Sequence, residues 1–272
     1  MARNIEHNSV VLLGFGRWGQ RIAEKIGHQN IKSVVVSNPE HYTAENLNLN
    51  FISQEDLMAF EVNNFTAIVC TPIPFLYPST LWLLEKNSKV FCEKPLSISL
   101  HQVRQFKTKF EQTQLWVNYL YQFSDFATFP TNNISSMRFY WSKFSLNRDL
   151  VENLFTHELS LVAARLGEMK CFEKITPVIL SENRLHCLFR YNYILIEIDI
   201  ETSNSFTSEI KNCKTQFLSG VDHMFDFTLE KKDKLEQSLD AFYAGEQKLF
   251  IKNYKIIETV NLILDKLTIE AK

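Results

Sequence analysis

Apolar residues recur along the first 120 positions with two alternating periods. The run "VVLLGFG" (Val10 to Gly16) is continuous and ends in glycines, as a strand buried on both faces does. "RWGQRIAEKIGHQ" follows with helical spacing, which puts Trp18, Ile22, Ala23 and Ile26 on one face. "KSVVVSN" predicts a second strand, and "FISQEDLMAFEVNN" a helix capped by Ser53. "FTAIVCTPIP" predicts a third strand stopped by Pro72 and Pro74, with a short helix after it in "STLWLLEKN". "KVFCEKP" predicts a fourth strand, and "SLHQVRQFKTKFEQ" a helix opened by a capping box from Ser99 to Gln102. "QLWVNYLYQF" predicts a fifth strand. Strand and helix alternating in this way specify parallel βαβ units with right-handed crossovers.

The pattern then changes. "SSMRFYWSKF" alternates, with Met137, Phe139 and Trp141 on one face. "VENLFTHELSLVAARLG" has helical spacing and ends at Gly167, a candidate C′ residue. "RLHCLFRYNYILIEIDIE" predicts a hairpin turning near Asn192, with Ile194, Ile196, Ile198 and Ile200 on one side. "HMFDFTLEK" predicts another strand, and "FIKNYKIIETVNLILDKL" an apolar-striped helix. The expected architecture is α/β. Residues 1–120 form a Rossmann-type domain with a parallel sheet, and residues 121–272 an α+β domain with a mostly antiparallel open sheet.

Composition narrows the function classes. The net charge of -2 argues against nucleic acid or an anionic membrane as the main partner. Five cysteines with irregular spacing and no CxxC pair read as buried thiols in a reducing compartment, not as a disulfide frame or a metal site. No segment resembles a leader peptide or a membrane span, so a cytoplasmic protein is expected. Only seven glycines occur, which makes each one informative.

Three of them form the turn Gly14-Phe15-Gly16-Arg17-Trp18-Gly19, between a buried strand and a helix. Gly14 permits a tight turn, Gly16 lets a pyrophosphate approach the backbone, and Gly19 lets helix and strand pack closely. The helix N-terminus then presents free N–H donors to the phosphates. A carboxylate after the second strand favours NAD over NADP. Here Ser37 and Asn38 stand at that place, which leans cofactor choice toward NADP; both are equally readable as turn residues. Thr71 and Pro72 end the third strand on the same sheet edge, placed to line the nicotinamide side or simply to terminate the strand. Glu93-Lys94-Pro95 ends the fourth. Pro95 keeps Lys94 out of helical geometry, and a lysine in a partly desolvated cleft serves as an acid or base. Taken alone, Glu93 and Lys94 are equally an ordinary surface pair.

"VLLGFGRWG", "VCTPIP" and "KVFCEKPLSISLHQVRQF", in this order and spacing, resemble the Gfo/Idh/MocA oxidoreductases. The likeness continues at "VNYLYQF", "LFTHELSLVAARLG" and the closing helices. It implies hydride transfer between NAD(P) and a small substrate such as a sugar, cyclitol or sugar nucleotide. It also implies dimers or tetramers through the C-terminal sheet. By the same resemblance, Lys94 and His157 are the catalytic pair. Asn153, where the family carries an aspartate, would bind substrate, with Tyr119 and Asn118 lining the pocket or packing the domain joint. Ser160 lies further along the same helix, and Gln122 replaces a common arginine. The substitution of Asn153 leaves a non-catalytic dinucleotide-binding sensor or partner subunit as the alternative. A third reading is a lyase-like or glycosidase-like reaction through transient oxidation.

Overall fold

The computed structural model describes residues 10–42, 49–59, 65–129, 132–144, 149–203 and 209–267. The first nine residues, and residues 60–64 of the segment expected to hold the second helix, lie outside them. The chain divides into two compact units that are discontinuous in sequence. One comprises Met1–Ser97, Arg104–Asn118 and Ser238–Tyr254; the other comprises Ile98–Val103, Tyr119–Gln237 and Lys255–Lys272.

The first unit is built on a six-stranded parallel sheet, as the uninterrupted apolar runs predict. Its strands are β1 (Val10–Leu13), β2 (Ile31–Val35), β3 (Phe51–Ile52), β4 (Thr66–Val69), β5 (Lys89–Cys92) and β6 (Leu115–Val117), in the order β3-β2-β1-β4-β5-β6. The central strands are buried on both faces, with Leu12, Ala67, Ile68, Val69, Val90 and Phe91 fully enclosed. The connecting helices are α1 (Arg17–Ile26), α2 (Gln54–Ala59), α3 (Ile73–Glu85) and α4 (Leu100–Lys109).

Capping follows the sequence in part. Ser53 Oγ accepts from the Asp56 backbone N–H while Asp56 Oδ2 accepts from the Ser53 backbone N–H, a reciprocal cap on α2. Ser99 Oγ accepts from Gln102 N at the start of α4. Helix α3 starts earlier than the proline-rich sequence suggests, directly after Pro72. Pro74 falls in its first turn, where a missing N–H costs nothing, and Pro78 is carried inside.

Strand β6 is the sheet's edge, and it is closed by a side chain. Asn253 Oδ1 accepts from Val117 N at 2.9 Å, and Asn253 Nδ2 donates to Val117 O at 2.8 Å. One buried amide thus supplies the donor and acceptor that a further strand would supply. Phe250 packs edge-on to Trp116, and Phe242 edge-on to Phe91.

The second unit carries a seven-stranded, mostly antiparallel sheet. Its strands are β7 (Ile134–Phe144), β8 (Phe172–Lys174), β9 (Ile179–Leu180), β10 (Arg184–Tyr191), β11 (Ile194–Ser203), β12 (Ile210–Phe217) and β13 (Asp222–Asp226). The order is β13-β12-β7-β11-β10-β8, with β9 on β10 and one parallel pair, β7 with β11. The expected hairpin turns at Asn192 and Tyr193, both at positive φ, the geometry of a two-residue type I′ turn. One face is apolar: Met137, Phe139, Trp141, Leu185, Phe189, Ile196, Ile198 and Ile200 are buried. The other carries ion pairs such as Arg184–Asp199 and Arg138–Glu197.

The short α5 (Asp125–Thr128) precedes β7, and a π-helical turn at Val151–Phe155 leads into α6 (Thr156–Leu166). Helices α7 (Lys234–Ala244) and α8 (Gln247–Leu267) follow, each with residues in both units. All five cysteines are free; Cys92, Cys187 and Cys213 are buried. Among the described residues no helix is long and apolar enough to cross a membrane, and no cluster of three metal-ligating side chains occurs.

Candidate active site

In the first unit, the carboxyl ends of β1, β2, β4 and β5 lie on one edge of the sheet, and each carries residues singled out in the sequence. The glycine turn follows β1, and its three glycines do three different things. Gly14 has φ +88°, and a Cβ on it would stand 2.7 Å from the Cys70 carbonyl oxygen. A Cβ on Gly19 would stand 2.2 Å from the Gly14 carbonyl oxygen. Those two glycines let α1, β1 and the end of β4 approach. Gly16 differs: a Cβ there would meet nothing within 4 Å. Its backbone faces open space at the N-terminus of a ten-residue helix that has no side-chain cap and no acid in its first turn. Unclaimed N–H groups and the positive end of the helix dipole are what a pyrophosphate needs. The residues present therefore fit a dinucleotide.

The rest of the turn is anchored. Phe15 is buried against Phe51 and Tyr42, and its carbonyl accepts from Gln20 Nε2 at 3.1 Å. Arg17 is exposed, while Trp18 is half-buried under the Arg21 guanidinium, 5.2 Å from its ring. Ser37 and Asn38 are exposed beyond β2, and the nearest following acid, Glu40, is exposed as well. Thr71 is half-buried after β4, and Pro72 caps α3.

Beyond β5, Glu93 is buried and Lys94 half-buried, and the Lys94–Pro95 peptide is cis. The Glu93 carboxyl accepts a 2.6 Å bond from Asn118 Nδ2. Asn118 Oδ1 accepts from Ser238 Oγ at 2.8 Å, and Ser238 Oγ accepts from Trp116 Nε1 at 3.0 Å. Burial pushes Glu93 above the ordinary carboxylate range; the Asn118 donor, the Lys94 charge and the Lys94 backbone N–H pull it back in part. Asn118, expected to line a substrate pocket or to pack the domain joint, is 1% exposed, and both ends of its amide are engaged behind Glu93.

His157, Asn153 and Tyr119 belong to the second unit. Asn153 lies in the π turn and His157 in the first turn of α6, so the helix passes from π to α between them. Both are half-buried, and Tyr119 is fully buried. Ser160 is buried too, with its Oγ donating to the His157 carbonyl. The imidazole meets the rings of Tyr121 and Trp141 edge-on, at 5.3 and 5.8 Å between centroids. The same two rings hold the Lys211 ammonium, which lies 3.6 Å from each centroid and 2.9 Å from Glu158 Oε1. Burial drives both partners toward their neutral forms, raising Glu158 and lowering Lys211, while their mutual attraction opposes the shift.

Sequence reasoning missed the supports behind the named residues. Ser238 stands 120 positions from Asn118, with no local signal to mark it. Lys211 is one of two lysines in "IKNCKTQF", and nothing in that string says which one turns inward.

Comparison with known proteins gives three results. Residues 8–121 match the family described as "Oxidoreductase family, NAD-binding Rossmann fold". A search of curated proteins gives no significant match. Solved structures of dehydrogenases match nearly end to end. A myo-inositol dehydrogenase from Corynebacterium glutamicum ATCC 13032 is 14% identical with TM-score 0.71, covering 95% of this chain and 96% of that one. GenD2 from gentamicin A biosynthesis, in complex with NAD, is 15% identical with TM-score 0.73, covering 95% and 93%. UDP-N-acetylglucosamine 3-dehydrogenase GnnA from Acidithiobacillus ferrooxidans is 13% identical with TM-score 0.70, covering 93% and 95%. At these identities the likeness is one of fold.

Proposed function

Residues 8–121 belong to the Gfo/Idh/MocA oxidoreductase family, and from that premise we propose that the protein is an NAD(P)-dependent dehydrogenase or reductase of a small hydroxyl, carbonyl or imine substrate. The observation that carries this reading is the open backbone of Gly16 at the uncapped start of α1. The nicotinamide supplies or accepts the hydride. The protein's part is to bind, orient and move a proton. Gly14 to Gly19 hold the pyrophosphate, with Thr71 and Pro72 beside the nicotinamide. Glu93 and Lys94 stand at the end of β5, where Lys94 Nζ orients and polarises the reacting oxygen or nitrogen. His157 gives or takes the proton near neutral pH. Asn153 orients the substrate, since an amide exchanges no proton.

Sugars, cyclitols and sugar nucleotides are the first substrates to try, since dehydrogenases of a cyclitol and a sugar nucleotide share the fold. Ser37 and Asn38, with no acid between them and β2, favour NADPH at least as much as NADH. Assembly through the outer face of the second sheet belongs to the same reading and is checked by light scattering.

The test combines NADH and NADPH fluorescence titrations with turnover of wild type, Lys94→Ala and His157→Ala. Each substitution is expected to lower kcat by about a hundredfold or more while leaving the cofactor Kd nearly unchanged. Near-normal turnover in both variants defeats the assignment of roles. Cofactor binding with no turnover on a broad panel favours a non-catalytic sensor, the reading that Asn153 in place of an acid suggests.

A further inference from the structure

The hydrogen-bond chain behind Glu93 runs in one direction only. An indole Nε1–H donates and never accepts. Trp116 Nε1 therefore obliges Ser238 Oγ to accept, which turns the serine's own proton toward Asn118 Oδ1. That fixes the amide so that Nδ2, not Oδ1, faces Glu93. The orientation of an Asn amide is ordinarily a matter of choice; here the donor-only indole settles it from two hydrogen bonds away. A proton on Glu93 Oε1 would point at an N–H group that cannot receive it. Trp116, Ser238 and Asn118 are all buried, so water does not compete for these bonds.

We propose that Ser238 is a positioning residue: through Asn118 it holds Glu93 as an ionised acceptor at the base of the Lys94 turn. Trp116 is the fixed end of the device. The role at the nicotinamide side rests on the function proposed above; the effect on Glu93 does not. Among the described residues, the titratable groups seen to act electrostatically with Glu93 are Lys94, Cys70 and Cys92. Burial pushes the Cys92 thiol to about 12 and raises Cys70 as well, so both thiols stay neutral and Lys94 is the one charged neighbour among them.

A double-mutant cycle of Ser238→Ala and Glu93→Gln, read by urea unfolding from pH 5 to pH 8, tests the chain without any cofactor. A hydroxyl with a merely structural role lowers stability equally at every pH. The proposal expects the loss in Ser238→Ala to deepen as pH rises and Glu93 ionises. Between the two ends it should grow by roughly fivefold in the unfolding constant. In the Glu93→Gln background the loss should be flat. Ser238→Thr, which keeps the hydroxyl, should restore most of the wild-type profile. If Ser238→Ala does not fold, Trp116→Phe removes the directing donor and should show the same pH-dependent loss in smaller measure. A pH-independent loss, or one unchanged by Glu93→Gln, overturns the proposal.

The second measurement is the Kd of NADH and NADPH across the same pH range. If the charge of Glu93 supports the nicotinamide side, wild-type binding should weaken as Glu93 protonates at low pH, and in Ser238→Ala that weakening should move to higher pH. Absence of cofactor binding by wild type defeats the functional reading and leaves the unfolding cycle to decide the chain.

Discussion

Glu93 in the first unit and Glu158 in the second are both buried carboxylates, and they are held in opposite ways. Glu158 faces a cation: Lys211 sits 2.9 Å away, itself 2% exposed. Glu93 accepts from a neutral amide at the end of a chain of neutral groups. An ion pair cancels charge locally and asks only that both partners remain. A chain of dipoles stabilises a charge without cancelling it, so the field of Glu93 still reaches Lys94, whose charge acts back on it. The first arrangement builds a rigid support behind His157. The second keeps a charge beside the residue assigned to the reaction.

The largest effect should come from breaking the ion pair on one side. Lys211→Met strands Glu158 and is expected to lower the unfolding free energy by about 3–5 kcal/mol, whereas Lys211→Met with Glu158→Leu should return to within roughly 1–2 kcal/mol of wild type. Urea melts of the single and double variants read this directly. If the single variant is harmless, the pair is not a support.

A smaller, pH-dependent effect should mark Glu93. Its folded-state value is raised by burial above that of the unfolded chain. Below the ordinary carboxylate range both states are protonated, and wild type and Glu93→Gln should lie closest in stability. As pH rises past that range the unfolded chain ionises first, so wild type loses stability relative to Glu93→Gln until the folded carboxyl also ionises. Thermal melts of the two proteins from pH 4 to pH 8 check the sign; an opposite trend would mean that the donor chain outweighs burial. The smallest effect belongs to an exposed pair. Lys109→Ala, which removes the surface contact with Glu85, should change stability by less than about 1 kcal/mol, and less still in high salt.

Much of this fold was legible from period alone. Strands β1, β4 and β5 are short apolar runs ended by glycine, proline or charge, and a strand enclosed on both faces has no other way to look. Strand β3 was missed because two residues carry no period. The start of α3 was misplaced because Pro72 and Pro74 read as a stop, although the N-cap and first turn of a helix accept proline. The π turn at Val151–Phe155 has no signature distinct from α. The glycine turn was legible as a turn because its signal is local, three residues between β1 and α1 followed by the helix's first turn. Asn118 was legible as a position and not as a role, since its partners Glu93 and Ser238 come from other parts of the chain.

The amide of Asn253 has a consequence for synthesis. The last strand of the parallel sheet is complete at Val117, yet the side chain that seals it lies 136 positions later. A ribosome working at about 5–20 residues per second leaves that backbone edge bare for many seconds, open to any neighbouring nascent chain. Once α8 docks, the same edge can no longer recruit a stranger.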